Sequence, residues 1–194
     1  MFEIELKAHV QNESVVKERL NAFADFSGTF ERHDKYWRKT MDNNPSQLIS
    51  ARIRTEISNG KETMYLTYKK KDIVTDKSGI TSEKNQEYES IINDSNAIDA
   101  LLSDSGFTIT DKKDKYVSRW ETSTNFGKAA LELCNIPQLG KFLEIEILSS
   151  SDDKGQTKEI QKELYALLEK SGIDKSQIEN RFYSQMLREL NTKN

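Results

Sequence analysis

Six times along this chain, ionisable residues stand two positions apart within a segment of strand character: Glu3-Glu5-Lys7, Arg52-Arg54, Lys69-Lys71, Glu87-Glu89, Lys113-Lys115 and Glu144-Glu146. Residues i and i+2 of a strand project to the same face. Apolar side chains fill the intervening positions of several of them, among them Ile4, Leu6, Ile53, Tyr88, Leu143, Ile145 and Ile147. Each such strand therefore has one apolar and one ionic face. For a single strand the ordinary meaning is a sheet with its charged side in water. The set reads differently, because the signs are sorted by strand. Arg52, Arg54, Lys69, Lys71, Lys113 and Lys115 are all cationic, whereas Glu87, Glu89, Glu144 and Glu146 are all anionic.

The rest of the chain supplies elements that need an apolar surface to cover. Residues 14–26 place Val15, Val16, Leu20, Phe23 and Ala24 at helical spacing, and Ile160, Leu164, Leu167 and Leu168 form one face of a helix expected over 152–170. Shorter helices are expected over 95–103, with Ser95 as N-cap, and over 179–190. Between them lie period-two segments at 2–7, 29–40, 49–57, 62–71, 83–92, 107–121, 126–135 and 141–148, with Asn59-Gly60 as a hairpin signal. Polar stretches at 42–46 and 72–82, the second containing Gly79, read as loops. About eight strands and four helices without a βαβ rhythm predict one α+β domain over residues 1–194. The architecture that satisfies both the helices and the sorted charges is an eight-stranded antiparallel β-barrel, a tunnel with helices packed outside and charges inside.

Composition bounds the function. Charged residues make up 31% of the chain and hydrophobic ones 35%, but 8 Phe, 7 Tyr and 2 Trp spread along it argue for a folded core rather than disorder. A net charge of -3 argues against a nucleic-acid binder working by backbone attraction. No run approaches a membrane span, and the charged and apolar alternation of the first ten residues is unlike a secretory signal. Cys134 is the single cysteine, which excludes a disulfide framework and a cysteine-based zinc site. A soluble protein of the reducing cytoplasm is expected. His9 and His33 lack a repeated ligand spacing, Cys134 reads as a small buried residue, and Trp37 and Trp120 read as core.

Like charges gathered in one cavity repel unless a ligand neutralises them. Lys7, Arg52, Arg54, Lys69, Lys71, Lys113 and Lys115 suit a polyanion, since arginine forks match phosphate oxygens. Glu3, Glu5, Glu87, Glu89, Glu144 and Glu146 offer the hard oxygen donors that Mg²⁺ or Mn²⁺ prefers. Together they describe a site for a metal-complexed polyphosphate.

In their order along the chain these residues resemble the CYTH superfamily, the triphosphate tunnel metalloenzymes. Glu3-Ile4-Glu5-Leu6-Lys7 is similar to the family's E-x-E-x-K signature, and Asp34-Lys35-Tyr36-Trp37 to its D-x-Y-aromatic strand. Ala51-Arg52-Ile53-Arg54 resembles the R-x-R strand, Leu66-Thr67-Tyr68-Lys69 an L-T-Y-K match, Glu87-Tyr88-Glu89 the E-Y-E strand, and Lys113-Asp114-Lys115 a K-x-R with Lys for Arg. The run from Leu139 to Glu146 is close to L-G-x-F-L-E-I-E, and Phe182-Tyr183-Ser184-Gln185-Met186-Leu187 to the S-Y-S-x-L-L segment of the class IV adenylyl cyclase branch.

The resemblance implies an eight-stranded tunnel, a triphosphate substrate (ATP, thiamine triphosphate or tripolyphosphate) and Mg²⁺ or Mn²⁺, and it permits a homodimer. It assigns phosphate contacts to Arg52, Arg54, Lys69, Lys113 and Lys115 and metal ligation to Glu3, Glu5, Glu87, Glu144 and Glu146, leaving Glu89 between metal ligation and charge balance. Lys7 reads as a phosphate contact or a base, Tyr36 as a positioner of the nucleophile or a structural phenol, and Lys71 as a residue of the mouth. The branch favoured is the cyclase, with triphosphatase and non-catalytic sensor as alternatives. One departure stands out: Cys134 occupies a position where the family has aspartate, and Gln138 one where it has glycine. Glu132 lies two residues earlier on the face of Cys134, where it can partly replace the missing carboxylate.

Overall fold

The computed structural model describes residues 2–41, 44–75, 81–149 and 154–191. Their elements, in chain order, are β1 (Phe2–His9), α1 (Glu13–Phe23), β2 (Asp25–Met41), β3 (Asn44–Ser58), β4 (Lys61–Thr75), β5 (Thr81–Ile92), α2 (Asn96–Asp104), β6 (Thr108–Thr124), β7 (Gly127–Ile136), β8 (Gly140–Ser149), α3 (Lys154–Lys170) and α4 (Tyr183–Asn191). The strands form an 8-stranded sheet in the order β1-β8-β7-β6-β2-β3-β4-β5. The ladders of β1 with β8, β6 with β7 and β7 with β8, and those joining β2 through β5, are antiparallel. The expected class, α+β with eight antiparallel strands and helices, is the one observed. No helix among the described residues is long and apolar enough to cross a membrane.

The chain divides into two compact units, residues 1–30 with 115–194 and residues 31–114, and the divisions fall inside β2 and β6. In the first unit the apolar face of β1, β7 and β8 presents Leu6, Ala8, Leu131, Leu133, Leu143, Ile145 and Ile147. Onto it pack Val16 and Leu20 of α1 and Ile160, Leu164, Leu167 and Leu168 of α3, the helical stripes read from the sequence. Asn12 caps α1, its side chain accepting from the Val15 amide. In the second unit Trp37, Ala51 and Ile53 are the buried face, packed with Leu66, Ile92 and Phe107 and with Ile98 and Leu102 of α2. In both units, alternation along each strand sends the apolar set to the helices and the charged set to the opposite face.

Four details differ from the sequence expectation. Helix α1 ends at Phe23, and residues 25–28 belong to β2. The stretches read as loops are shorter: β3 starts at Asn44, β4 runs to Thr75 and β5 starts at Thr81, while residues 42–43 and 76–80 lie outside those described. Ser95 is the N-cap residue of α2 as expected but makes no side-chain capping bond; its hydroxyl donates instead to the Asp99 carboxylate. Finally, α4 begins at Tyr183 rather than near Glu179, and a short 3-10 turn at Lys175–Gln177 precedes it. Its Tyr183 and Met186 pack with Val117, Cys134, Ile136 and Phe142, on the face of β7 and β8 that carries the charges, and not with α1 and α3.

Candidate functional site

Charge in the 31–114 unit is organised around Asp34. Antiparallel register sets Asp34 opposite Arg54 and Tyr36 opposite Arg52. The Arg54 guanidinium grips the Asp34 carboxylate with two hydrogen bonds, 2.7 Å from Nε and 3.0 Å from a terminal nitrogen. The Lys113 ammonium stands 3.4 Å from the same carboxylate, and the Tyr36 hydroxyl donates to it at 3.1 Å. Burial pushes the Asp34 carboxyl up, but the Arg54 guanidinium, with Lys113 and Arg52 behind it, outweighs burial and holds it well below the usual carboxylate range. Asp34 is therefore an anion that keeps cations fixed and aimed.

Arg52 is held differently. One terminal nitrogen donates to the Thr67 hydroxyl at 3.0 Å and to Glu89 at 3.3 Å, and Thr67 in turn donates to Glu89 at 2.6 Å. The Nε of Arg52 is buried with no hydrogen-bond partner among the described residues. A buried guanidinium N–H without an acceptor is costly and is the kind of group an incoming phosphate oxygen satisfies.

The other unit carries the carboxylates. Cross-strand register places Glu5 opposite Glu146, Lys7 opposite Glu144, and Glu132 opposite Glu144. Like charges facing each other across a ladder repel, so cations must lie close by. Lys115 is one, with its ammonium 3.0 Å from Glu132 and in a short hydrogen bond to Glu144. Arg119 is another, 3.4 Å from the second Glu132 oxygen. Burial raises the Glu144 carboxyl, but Lys115 outweighs it and keeps Glu144 ionised. Lys7 donates to the Arg181 carbonyl at 2.5 Å and lies 4.3 Å from the centre of the Tyr183 ring. Burial, with Glu144 beside it, pushes the Tyr183 phenol far up, so it stays neutral.

Ligand atoms of Glu132, Cys134 and Glu144 lie within 4.8 Å of one another. Two carboxylates at that spacing suit a hard divalent ion. The thiol is a weak member of the set: burial pushes Cys134 well up, its hydrogen is given to the Glu132 carbonyl, and only 1% of it is exposed. Oxygen ligation from Glu132 and Glu144 is what this group offers a metal.

Within the 31–114 unit the expected residues thus fall into two bonded groups: Tyr36, Arg54 and Lys113 meet at Asp34, and Glu89 faces Arg52 as a charge partner. In the other unit Lys7, Lys115 and Glu144 lie together, with Glu5 and Glu146 paired in register one step along the ladder. The side chains of Glu3, Lys69, Lys71 and Glu87 lie outside those the structure describes; their backbones place Lys69 opposite Glu87 and Lys71 opposite Asn85. Two central residues were not among the expected site residues. Asp34 showed itself only as part of a motif, and Glu132 only as a carboxylate two positions from Cys134.

A CYTH domain model matches residues 1–183. Among solved structures, the PH1819 protein of Pyrococcus horikoshii OT3 superposes with a TM-score of 0.75 at 25% identity, over 97% of this chain and 99% of that one. The PH1012 protein of the same organism gives 0.68 at 25% identity, over 95% and 98%. A Vibrio parahaemolyticus protein described as a candidate adenylate cyclase gives 0.67 at 16% identity, over 97% and 98%, which is a likeness of fold. No curated protein matches the chain. With the family pattern matched over nearly its whole length, and the strands that carry that pattern formed as its residues require, the chain belongs to the CYTH domain family.

Proposed function

We propose that this chain is a metal-dependent enzyme acting on a triphosphate, and that its reaction is that of a class IV adenylyl cyclase, ATP to cyclic AMP and pyrophosphate. The observation that carries the reading is a charged set described within each unit of the chain, one cationic and one carboxylate. One is a cationic group, Arg52, Arg54 and Lys113, of which Arg52 keeps a buried N–H without an acceptor among the described residues. The other is a carboxylate group, Glu132 and Glu144, with ligand oxygens close enough for one ion. A phosphate chain carries both kinds of demand, for hydrogen-bond donors and for a dication.

In this reading Arg52 and Arg54 take non-bridging phosphate oxygens and offset the charge that develops on them as the bond to the leaving group breaks. Asp34 keeps Arg54 and Lys113 in place before substrate arrives, so little reorganisation remains for the reaction itself. Glu144, with Glu132, would hold the divalent ion, Mg²⁺ or Mn²⁺, which would supply positive charge against the phosphate oxygens. The ribose 3′-oxygen bonds to the α-phosphorus, the bond from that phosphorus to the α,β-bridging oxygen breaks, and pyrophosphate departs carrying the proton of the 3′-hydroxyl. Lys7, held as a donor by the Arg181 carbonyl, fits a phosphate contact better than a base.

Family kinship supports a second reading equally at the level of fold: hydrolysis of thiamine triphosphate or tripolyphosphate on the same residues. Cys134, a protonated thiol where the resemblance expects aspartate, favours a third, a triphosphate sensor without turnover. Incubation with ATP, thiamine triphosphate and tripolyphosphate, each with Mg²⁺ and with Mn²⁺, separates them by product. Cyclic AMP with equimolar pyrophosphate from ATP is the expected outcome. Orthophosphate release without cyclic AMP transfers the assignment to a triphosphatase, and tight binding without any product transfers it to a sensor.

A further inference from the structure

The Lys115 ammonium sits where a metal-ligating pair of carboxylates would hold a dication. Its side chain is 6% exposed, and those of Glu132 and Glu144 are 11% and 13% exposed, so water does little to separate the charges. The ammonium reaches both carboxylates at once, at 3.0 Å from Glu132 and in the short bond to Glu144. Glu132 and Glu144 are cross-strand partners, so without Lys115 two buried anions would face each other. Ligand oxygens of the same two residues fall within 4.8 Å of one another, the spacing that suits a metal ion. An ammonium and a dication cannot both lie there, because each repels the other at such separation.

We propose that Lys115 is a built-in exchangeable counter-ion: it keeps the carboxylate pair neutralised until a divalent ion takes its place, and the displaced ammonium then turns to the phosphate chain. The inference rests on the reading of the site as one for a metal-complexed triphosphate, and adds how the two ligands are linked. A displaced Lys115 is a buried cation that needs an anion. Arg119 and Tyr183 stay beside the carboxylates, and Arg119 already spans Glu132 and Glu121. Polyphosphate supplies an anion for it, so metal uptake tightens polyphosphate binding and, by reciprocity, polyphosphate tightens metal uptake. The same feature makes the site resist metal alone. Nothing is consumed in the exchange; one cation replaces another on the same two carboxylates.

The test measures Mn²⁺ affinity by electron paramagnetic resonance of unbound Mn²⁺, and imidotriphosphate affinity by calorimetry with and without Mn²⁺. Variants are Lys115→Met, Glu132→Gln and the charge-balanced pair Lys115→Met with Glu132→Gln. Without polyphosphate, Lys115→Met is expected to bind Mn²⁺ about tenfold more tightly than the parent protein, within the usual range for coupled sites. If Lys115→Met alone does not fold, the balanced pair is compared with Glu132→Gln and is expected to bind Mn²⁺ more tightly than it does. Loss of Lys115 should cost little imidotriphosphate affinity without metal and about tenfold with it. An ordinary phosphate contact would cost the same under both conditions, and a purely structural lysine would leave Mn²⁺ affinity unchanged or weaker; either result overturns the exchange. If the parent protein binds neither Mn²⁺ nor imidotriphosphate, the functional reading itself falls, and the exchange with it.

Discussion

Asp34 is 3% exposed and carries a full negative charge, which is tolerable because Arg54 meets it with a bidentate fork and Lys113 and Tyr36 stand against the same carboxylate. Replacing it by asparagine removes the carboxylate charge that Arg54 and Lys113 meet at Asp34. The substitution Asp34→Asn is expected to cost about 3 kcal/mol at pH 7, in the range for breaking a buried pair. The sign with pH follows from the direction of its shift. Since the folded state holds this carboxyl below its ordinary value, its contribution is complete above pH ~4 and fades as pH falls further. Urea denaturation of parent and variant at pH 7, 5 and 3 should show a gap that is constant between the first two and narrower at the third. A gap independent of pH would mean the loss is one of packing, not charge. Asp34 was legible in the sequence as a motif residue, yet its task was not, because strand spacing tells which residues share a face and not which partner a carboxylate selects. Glu132 was missed as a site residue for a related reason: a single carboxylate on β7 acquires meaning only when the ladder sets it opposite Glu144.

At the scale of elements, local chemistry was the most reliable guide. Asn59 and Gly60 take positive φ values of 52° and 73° between β3 and β4, the geometry that joins two strands of right-handed twist. Glycine adopts that conformation without steric cost, so Gly60→Val should lower stability by about 1–2 kcal/mol. Thermal or urea unfolding reads this directly, and an unchanged midpoint would show that the turn does not set the strand register. Helix α3 ends in the same manner at Gly172, whose φ is 81° and where an added Cβ would lie 2.8 Å from Arg19. Residues 72–75 and 81–82 were read as loop from their polarity. They pair instead as Asp72 with Lys84, Ile73 with Glu83, Val74 with Ser82 and Thr75 with Thr81. A backbone ladder satisfies its own N–H and C=O groups whatever the side chains, so polarity alone under-calls a strand that has a partner. Helix α4 misled for the opposite reason. Its apolar positions were plain, but amphipathicity does not say which surface a helix covers, and Tyr183 and Met186 chose the face of Cys134 and Phe142.

For the molecule as a whole, a ligand that neutralises several charges at once should stabilise the native state by mass action. Tripolyphosphate with Mg²⁺ at about one hundred times its dissociation constant would add about 2.7 kcal/mol, roughly 5–10 °C in melting temperature for a chain of this size. Differential scanning fluorimetry checks it, with sulfate at equal ionic strength as the comparison. A rise of equal size with sulfate would reduce the cationic face to a general anion binder. The double substitution Arg52→Gln with Arg54→Gln should abolish the specific part of the rise. The overall charge of -3 gives no hint of this behaviour, because the cations and carboxylates are sorted by strand and cancel in the sum.

The sequence by itself determined the alternation of apolar and ionic positions, the eight strands that carry it, the hairpin at Asn59-Gly60 and the family pattern, since period, turn chemistry and motif order are properties of neighbours along the chain. Only the tertiary structure decided that Asp34 fixes Arg54, that Glu89 answers Arg52, and that Lys115 lies between Glu132 and Glu144. Those pairings join residues between 17 and 37 positions apart, and their strength depends on burial and on ångström-scale separation. Both quantities arise when ladders fix register and the core excludes water, so no local pattern of residues contains them.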